Sequence, residues 1–305
     1  MTRALHHPVL LPEVLAAAAG ARRAVDGTLG DGGHTAALRE AGALVLGIDR
    51  DPDAIATARE RLGDEGIRYL EASFASPEAL AAAAAFRPDF VLLDLGVSSR
   101  QLDEEPRGFT FRPGAPLDMR MEAAGPTAAD LLNRSSEADL RAWLGDYGDE
   151  RRAGRLAAEI VRRRERAPFR TSDDLVNAVR AVLGPRSGPD DFARIFQAIR
   201  MAVNREPDEL TAALPAYRDV LPPGGALAVI SYHSGEDRLV KHAFREWSRS
   251  CICPPAQPVC TCRGRPLGRA EPRSGLTPAP AEIAANPRAR SARLRVFRLS
   301  RDAAR

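Results

Sequence analysis

The run Val25-Asp26-Gly27-Thr28-Leu29-Gly30-Asp31-Gly32-Gly33-His34, with an acid downstream at Asp49, constrains this chain more than any other feature. A short apolar stretch, a glycine-rich turn and a helix-compatible segment make up the first half of a βαβ unit. Glycine tolerates positive φ and lets backbone approach a ligand, and the N-terminus of the following helix adds a field that favours negative groups. Leu44-Val45-Leu46-Gly47-Ile48-Asp49 reads as the second strand. Asp49 then falls at its carboxyl end, where an acid accepts hydrogen bonds from ribose hydroxyls. The unit predicts a parallel sheet that holds a nucleoside-type cofactor.

The alternation continues. Asp51-Pro52 starts a helix with apolar residues at Ile55, Ala58 and Leu62, since proline suits a first helical turn. Ile67 to Leu70 reads as a third strand and Phe90 to Leu95 as a fourth, after an alanine-rich helix ending near Ala85. Strands separated by helices rather than hairpin turns imply parallel pairing with right-handed crossovers. From about Arg107 to Pro207 no strand pattern occurs, only helical stretches at 137–143, 150–164, 172–183 and 190–204. A helix at 208–220, the turn Pro222-Pro223-Gly224-Gly225, a strand at 226–231 and a helix at 236–247 then resume the pattern. Residues 249–290 read as a long loop and 294–299 as a last strand. The expectation is a doubly wound, Rossmann-like α/β domain over 1–106 and 208–305, interrupted by an all-helical domain over 107–207.

Two cofactor classes share such a turn. A nicotinamide enzyme presents Gly-x-Gly-x-x-Gly to a pyrophosphate. Here the spacing is Gly30-x-Gly32-Gly33-His34, and Asp26 stands next to the turn. A carboxylate there repels a pyrophosphate but attracts the ammonium or sulfonium charge of S-adenosylmethionine. The residues favour the methyl donor, with a nicotinamide oxidoreductase as the alternative. Phe74, just past the third strand, is placed to stack on an adenine; Asp94 ends the fourth strand and Gln101 follows it.

Charge bears on the partner. The chain carries +3 overall, yet Arg249 to Arg305 holds twelve Arg against Glu271, Glu282 and Asp302, so that segment is +9 and the rest −6. Such asymmetry points to a polyanion, nucleic acid first. Apolar runs are too short for a membrane span and the N-terminal pattern is unlike a secretory signal, so a cytoplasmic location is expected. Cys251-x-Cys253 and Cys260-x-Cys262 are spaced more tightly than the two to four residues usual in structural zinc sites. They read as reduced cysteines in a proline-rich loop and no metal site is assigned, with four thiolates on zinc as the alternative.

These motifs together resemble the RsmH/MraW methyltransferases over nearly the whole chain. The resemblance is carried by His6-His7-Pro8-Val9-Leu10-Leu11, the Asp26–Thr35 loop, Gly47-Ile48-Asp49-Arg50-Asp51 and Leu93-Asp94-Leu95-Gly96-Val97-Ser98-Ser99-Arg100-Gln101-Leu102-Asp103. Arg107-Gly108-Phe109, Pro116-Leu117-Asp118-Met119-Arg120-Met121, Phe196 to Arg200 with Val203-Asn204, Ile230 to Ser234 with Glu236-Asp237-Arg238, and Asn286 to Ser291 add to it. It implies a class I S-adenosylmethionine-dependent methyltransferase fold and a donor site of Gly32, Gly33, His34, Asp49, Phe74, Asp94 and Gln101. It further implies N4-methylation of a cytidine in the decoding centre of bacterial 16S rRNA. Departures are Pro207 and Gly235, each where a Leu is usual, and Tyr232, where a Phe is usual.

The exocyclic amine of cytosine is a weak nucleophile, so alignment with the methyl and an acceptor for its proton carry the chemistry. DNA amino-methyltransferases often place Asp/Asn-Pro-Pro-aromatic after the fourth strand; this chain has Asp94-Leu95-Gly96-Val97. Candidate proton acceptors are therefore Asp94, Asp118 and His233, although Asp118 also suits an internal pair with Arg120. Arg120, Arg200, Asn204 and Arg238 are candidate rRNA contacts. A noncatalytic RNA-binding assembly factor is a third reading, against which the intact turn and Asp49 weigh.

Overall fold

The structure, a computed structural model, describes residues 7–301 other than Ala123 and Pro258; the side chains of Ser99 and Asp103 are also outside the description. His6 of the His-His-Pro motif and the last arginine, Arg305, lie outside the described residues. The chain divides into two compact units, one made of residues up to Gly96 and from Pro207 onward, the other of Val97–Glu206.

The first unit opens with α1 (Leu11–Ala17), β1 (Arg23–Asp26), α2 (Gly33–Glu40), β2 (Leu44–Asp49), α3 (Pro52–Leu62), β3 (Ile67–Glu71), α4 (Pro77–Phe86) and β4 (Phe90–Asp94). The second unit holds α5 (Ser99–Asp103), α6 (Ala128–Arg134), α7 (Glu137–Asp146), α8 (Ala153–Arg164), α9 (Ser172–Leu183) and α10 (Pro189–Val203). Then come α11 (Glu206–Val220), β5 (Ala226–Ser231), α12 (Ser234–Trp247), β6 (Gly268–Ala270), α13 (Pro280–Ala285) and β7 (Arg293–Leu299). Local chemistry sets several of these starts. Asp51 caps α3 by accepting from the Asp53 N–H at 3.1 Å, with Pro52 in the first turn. Ser76 does the same for α4 through the Ala79 N–H. Pro207 falls in the first turn of α11, where the N–H that proline lacks has no intrahelical acceptor, so the departure is harmless.

The sheet runs β3-β2-β1-β4-β5-β7-β6. Strands β1 to β5 pair in parallel, whereas β7 lies antiparallel between β5 and β6. The strand order reverses between β1 and β4, the kind of switch point outside which open α/β sheets bind ligands. Register places Asp26 beside Gly47 and Leu92, and Asp94 beside Ile230. The carboxyl ends of β1, β2 and β4 thus share one edge. Burial on both faces follows from alternation along each strand. On β4, Val91 and Leu93 join a cluster with Phe86, Tyr217, Phe244, Trp247 and Phe297, while Phe90 and Leu92 face Val14, Leu38 and Ala292.

Short elements escape the sequence patterns. β6 has only three residues and sits inside the expected loop, as does α13; α1 lies in a run without helical periodicity. The helical unit begins at Val97 rather than 107. The Arg107 guanidinium donates to the Arg120 and Met121 carbonyls and Met119 N–H to Arg107 O, while Arg107 N–H donates to Glu104 O and Glu104 N–H to Arg100 O, which links the segment before 107 to that unit. Its core is Leu117, Leu132, Leu140, Leu156, Ile160, Leu175, Phe192 and Phe196. No helix among the described residues is long and apolar enough to cross a membrane.

Candidate active site

The turn after β1 is built around the missing side chains of glycine. Gly30 and Gly32 both adopt left-handed backbone, φ 52° and 77°. A Cβ on Gly32 would stand 2.7 Å from Leu62 Cδ1, so a side chain there would have to displace the Leu62 tip as well as adopt the left-handed backbone. A Cβ at Gly30 would meet nothing nearer than the Thr28 carbonyl at 4.0 Å, leaving that stretch of backbone accessible. Gly30 N–H donates to Asp49 Oδ2 at 2.8 Å and Asp51 N–H to Asp49 Oδ1 at 2.9 Å, which fixes the carboxyl against the turn. Withdrawal from water outweighs these two bonds and pushes the Asp49 pKa up to about 6. Each oxygen keeps a further lone pair for hydroxyl donors.

Asp26 is buried and accepts from Thr35 Oγ1 at 2.7 Å and from the Thr28 N–H at 3.3 Å. Burial lifts its pKa above the ordinary carboxylate range, with the neighbouring His34 acting in the opposite sense. Its part in the turn is an anchor for α2.

His34, in the first turn of α2, stands with Nε2 3.5 Å from Asp94 Oδ2. Burial disfavours its charged form, but the Asp94 and Asp26 carboxylates outweigh that and raise its pKa. His34 Nδ1 is buried and has no hydrogen-bond partner among the described residues. A buried polar atom left unsatisfied is costly, and such exceptions cluster where a ligand supplies the partner.

Asp94 is held at both its backbone and its side chain. Its own N–H donates to Thr28 Oγ1 at 2.6 Å, and its Oδ1 accepts the Tyr232 hydroxyl at 2.9 Å. Burial first, then the Asp94 charge, raises the Tyr232 pKa well above its usual value, so the phenol keeps its proton and remains the donor. Tyr232, noted in the sequence only as a departure, is the site residue that sequence reasoning missed. A tyrosine directly after a strand ending in Ser231 could have been read as a hydroxyl aimed at the neighbouring strand end. Phe74 packs against the aromatic core and its β-carbon lies 3.4 Å from the point where Gly27 would carry a side chain. The Phe74 carbonyl accepts from Tyr217 Oη at 2.8 Å, and Arg50 pairs with Glu209 and Ser73 Oγ beside it.

His233 is the N-cap of α12: its Nδ1 accepts from the Glu236 N–H at 3.4 Å, and Nε2 stands 3.1 Å from Glu236 Oε1. Glu236 also accepts from the Tyr232 N–H at 3.0 Å, so this histidine shapes the turn that carries Tyr232. Arg238 is exposed on α12. The remaining expected residues belong to the helical unit. Gln101 is buried, its side-chain oxygen accepting from the Ser98 N–H in a capping box for α5. Burial is the largest single influence on Asp118 and would raise its pKa, but a two-pronged pair with Arg120, at 2.8 and 2.7 Å, joined by the Arg120 N–H and the Arg107 charge, outweighs it and holds the pKa low. Arg200 pairs with Glu206 at 2.9 Å. Asn204, expected at an RNA surface, is instead buried: it donates to the Met119 carbonyl and accepts from the Met121 N–H, both at 2.8 Å. Its polarity closes the Leu117–Met121 segment, a demand that motif spacing does not reveal.

A doubly wound sheet with a glycine turn, Asp49 and Asp94 at the carboxyl ends of its strands beside the switch point defines an α/β protein of the nucleoside-cofactor class. The profile of the MraW methylase family matches residues 3–300. The chain belongs to that family. It is 59% identical over 302 residues to a ribosomal RNA small subunit methyltransferase H from Gemmatimonas aurantiaca, covering 97% of this chain and 96% of the relative. Proteins of the same name from Rubrobacter xylanophilus and Heliobacterium modesticaldum are 46% and 44% identical, over 97% and 95% of this chain and 96% and 97% of theirs. Membership of a methylase family leaves the nicotinamide alternative without support.

Proposed function

We propose that this protein transfers the methyl group of S-adenosylmethionine to N4 of a cytidine in the decoding centre of 16S rRNA, in the small ribosomal subunit of the cytoplasm. The observation that carries the reading is Asp94, fixed by Thr28 and Tyr232 at the same strand-end edge as the glycine turn and Asp49. Family membership ties that pocket to methyl transfer, and the relatives' names supply the small-subunit rRNA.

The residues present fit the donor. Asp49 is assigned as the acceptor for ribose hydroxyls, the Gly30–Gly33 backbone permits close approach, and half-buried Phe74, just past β3, is assigned to the adenine. The unpartnered Nδ1 of His34 is a buried polar atom that a ligand would satisfy. When bound, S-adenosylmethionine supplies an electrophilic methyl on a sulfonium. Asp94 is assigned as acceptor of the N4 proton, with Tyr232 fixing the orientation of its carboxylate. His233 positions the loop that carries Tyr232. Asp118 holds Arg120, and Arg120, Arg200 and Arg238 are assigned to phosphates. A base must leave the stack to reach such a pocket.

The test is to incubate purified protein and methyl-labelled donor with undermethylated 30S subunits and with naked 16S rRNA, then locate the label by nuclease digestion and mass spectrometry. Label on one cytidine N4 is expected. No label on cytidine in either substrate overturns the proposal.

A further inference from the structure

Four sulfur atoms meet in the loop that joins α12 to β6, at Cys251, Cys253, Cys260 and Cys262. They serve no part of the site described above. Their Sγ atoms all lie within 4.8 Å of one another. Cys251 and Cys260 are 3.8 Å apart, Cys253 and Cys260 3.9 Å, and Cys260 and Cys262 3.5 Å. A disulfide requires sulfurs about 2.0 Å apart, and all four are free thiols. A tetrahedral zinc–thiolate centre with Zn–S bonds of about 2.3 Å sets its sulfurs about 3.8 Å apart. The observed separations lie close to that edge length.

The geometry points to a structural zinc site with Cys251, Cys253, Cys260 and Cys262 as its four ligands. Tight spacing within each pair is no obstacle once the chain reverses between the pairs. The Gln257 N–H donates to the Pro254 carbonyl at 3.0 Å, making a turn, and the Gln257 side chain donates to Val259 O and Thr261 Oγ1 on the returning chain. The cluster is also prepared for negative sulfur. Ile252 N–H donates to Cys262 Sγ at 3.3 Å, a contact that suits a thiolate ligand.

Four thiolates around one dication leave a net negative centre, and the surrounding charge is positive. The Arg263 side chain donates to the carbonyls of Glu246, Arg249 and Arg265, clasping both ends of the loop, and Arg249 and Arg265 are exposed beside it. The need for such a cross-link is visible in the packing. Ile252 and Val259 are 40% and 68% exposed, so the loop has no apolar core to hold it. A metal supplies folding free energy where burial does not.

The test uses the full-length protein, expressed with added zinc and purified without chelator. Inductively coupled plasma mass spectrometry is expected to find about one zinc per chain. Alkylation by N-ethylmaleimide, followed by intact mass, is expected to accelerate by roughly tenfold or more when a chelator is added, with four sites modified. Cobalt exchanged into the site should give the strong thiolate-to-metal charge-transfer absorption of a sulfur-only tetrahedron. The Cys260→Ser/Cys262→Ser variant should lose the zinc while keeping the helical circular dichroism of the rest. Should that variant not fold, alkylation of the unaltered protein with and without chelator still decides. Chain without zinc whose four cysteines alkylate at one rate in both conditions, or disulfides in the intact mass, overturns the site.

Discussion

At the scale of single residues, the pocket is governed by carboxyls held out of water. Asp49 shows the consequence most directly. Its folded-state pKa, about 6, exceeds the ordinary 3.8, so the folded apo protein binds the proton more tightly than the unfolded chain does. Stability from this group is therefore present at low pH and is lost as pH rises from about 4 through 6. Ribose hydroxyls need the ionised form, so donor affinity runs the other way. Titration calorimetry with S-adenosylmethionine should show affinity falling up to about tenfold per pH unit below 6 and level above it. An Asp49→Asn variant should bind weakly and lack that slope; an unchanged slope would remove Asp49 from the donor site. Asp94 and Tyr232 separate by role. Asp94→Ala is expected to cut kcat by roughly a hundredfold or more at saturating donor, the range of a lost general base. Tyr232→Phe keeps the ring and removes one hydrogen bond to a charged acceptor, at a cost of about 1.5–3 kcal/mol or less if Asp94 finds water. Thermal denaturation should record that loss, with kcat changed much less than by Asp94→Ala.

At the scale of elements, the helical unit depends on a few polar closures. Asn204 caps the end of α10 and takes up the Met119 carbonyl and the Met121 N–H, next to Met119 in left-handed backbone (φ 62°). Asn204→Ala leaves two buried backbone groups unpaired, each costing about 1–3 kcal/mol. A lower urea midpoint is expected, without any change in the salt dependence of RNA binding. A variant of normal stability whose RNA affinity alone falls would return Asn204 to the RNA surface. The strand-end row is likewise a property of elements: parallel register of β1, β2 and β4 brings Asp26, Asp49 and Asp94 to one edge.

At the scale of the whole molecule, the uneven charge looks different once the chain is folded. Several arginines of the +9 segment are structural. Arg295 is buried and doubly bonded to Asp237, Arg298 donates to the Gly224 and Ala17 carbonyls, and Arg263 clasps the cysteine loop. Arg288 and Arg290 are exposed, on a surface that a polyanion would meet. Replacing both by Gln should weaken 16S rRNA binding at low salt and shallow the log–log salt dependence by roughly 0.7–0.9 per lost phosphate contact. Filter binding across a salt series would measure it, with Arg295→Gln as the contrasting variant that destabilises the fold. An unaltered slope for the double variant would place the RNA elsewhere.

What the amino-acid sequence determined by itself was whatever local periodicity and glycine chemistry dictate. The parallel βαβ alternation, the left-handed turn at Gly30–Gly33, the acids at the ends of β2 and β4, and the strandless helical stretch were all legible, because each rests on neighbours within one or two elements. Strand β6 and helix α13 were not, being too short to show a period. Tertiary structure alone decided the antiparallel insertion of β7 between β5 and β6, the hydrogen bond from Tyr232 to an acid on another strand, and the inward turn of Asn204. It also brought two tight cysteine pairs into one cluster. The first three depend on partners far apart in the chain, and motif spacing carries no information about which distant groups burial will force to satisfy one another; the cysteine cluster depends on a loop reversal that spacing does not show either. The glycine turn and Asp49 could be read directly; the residues that hold Asp94 in place could only be seen folded.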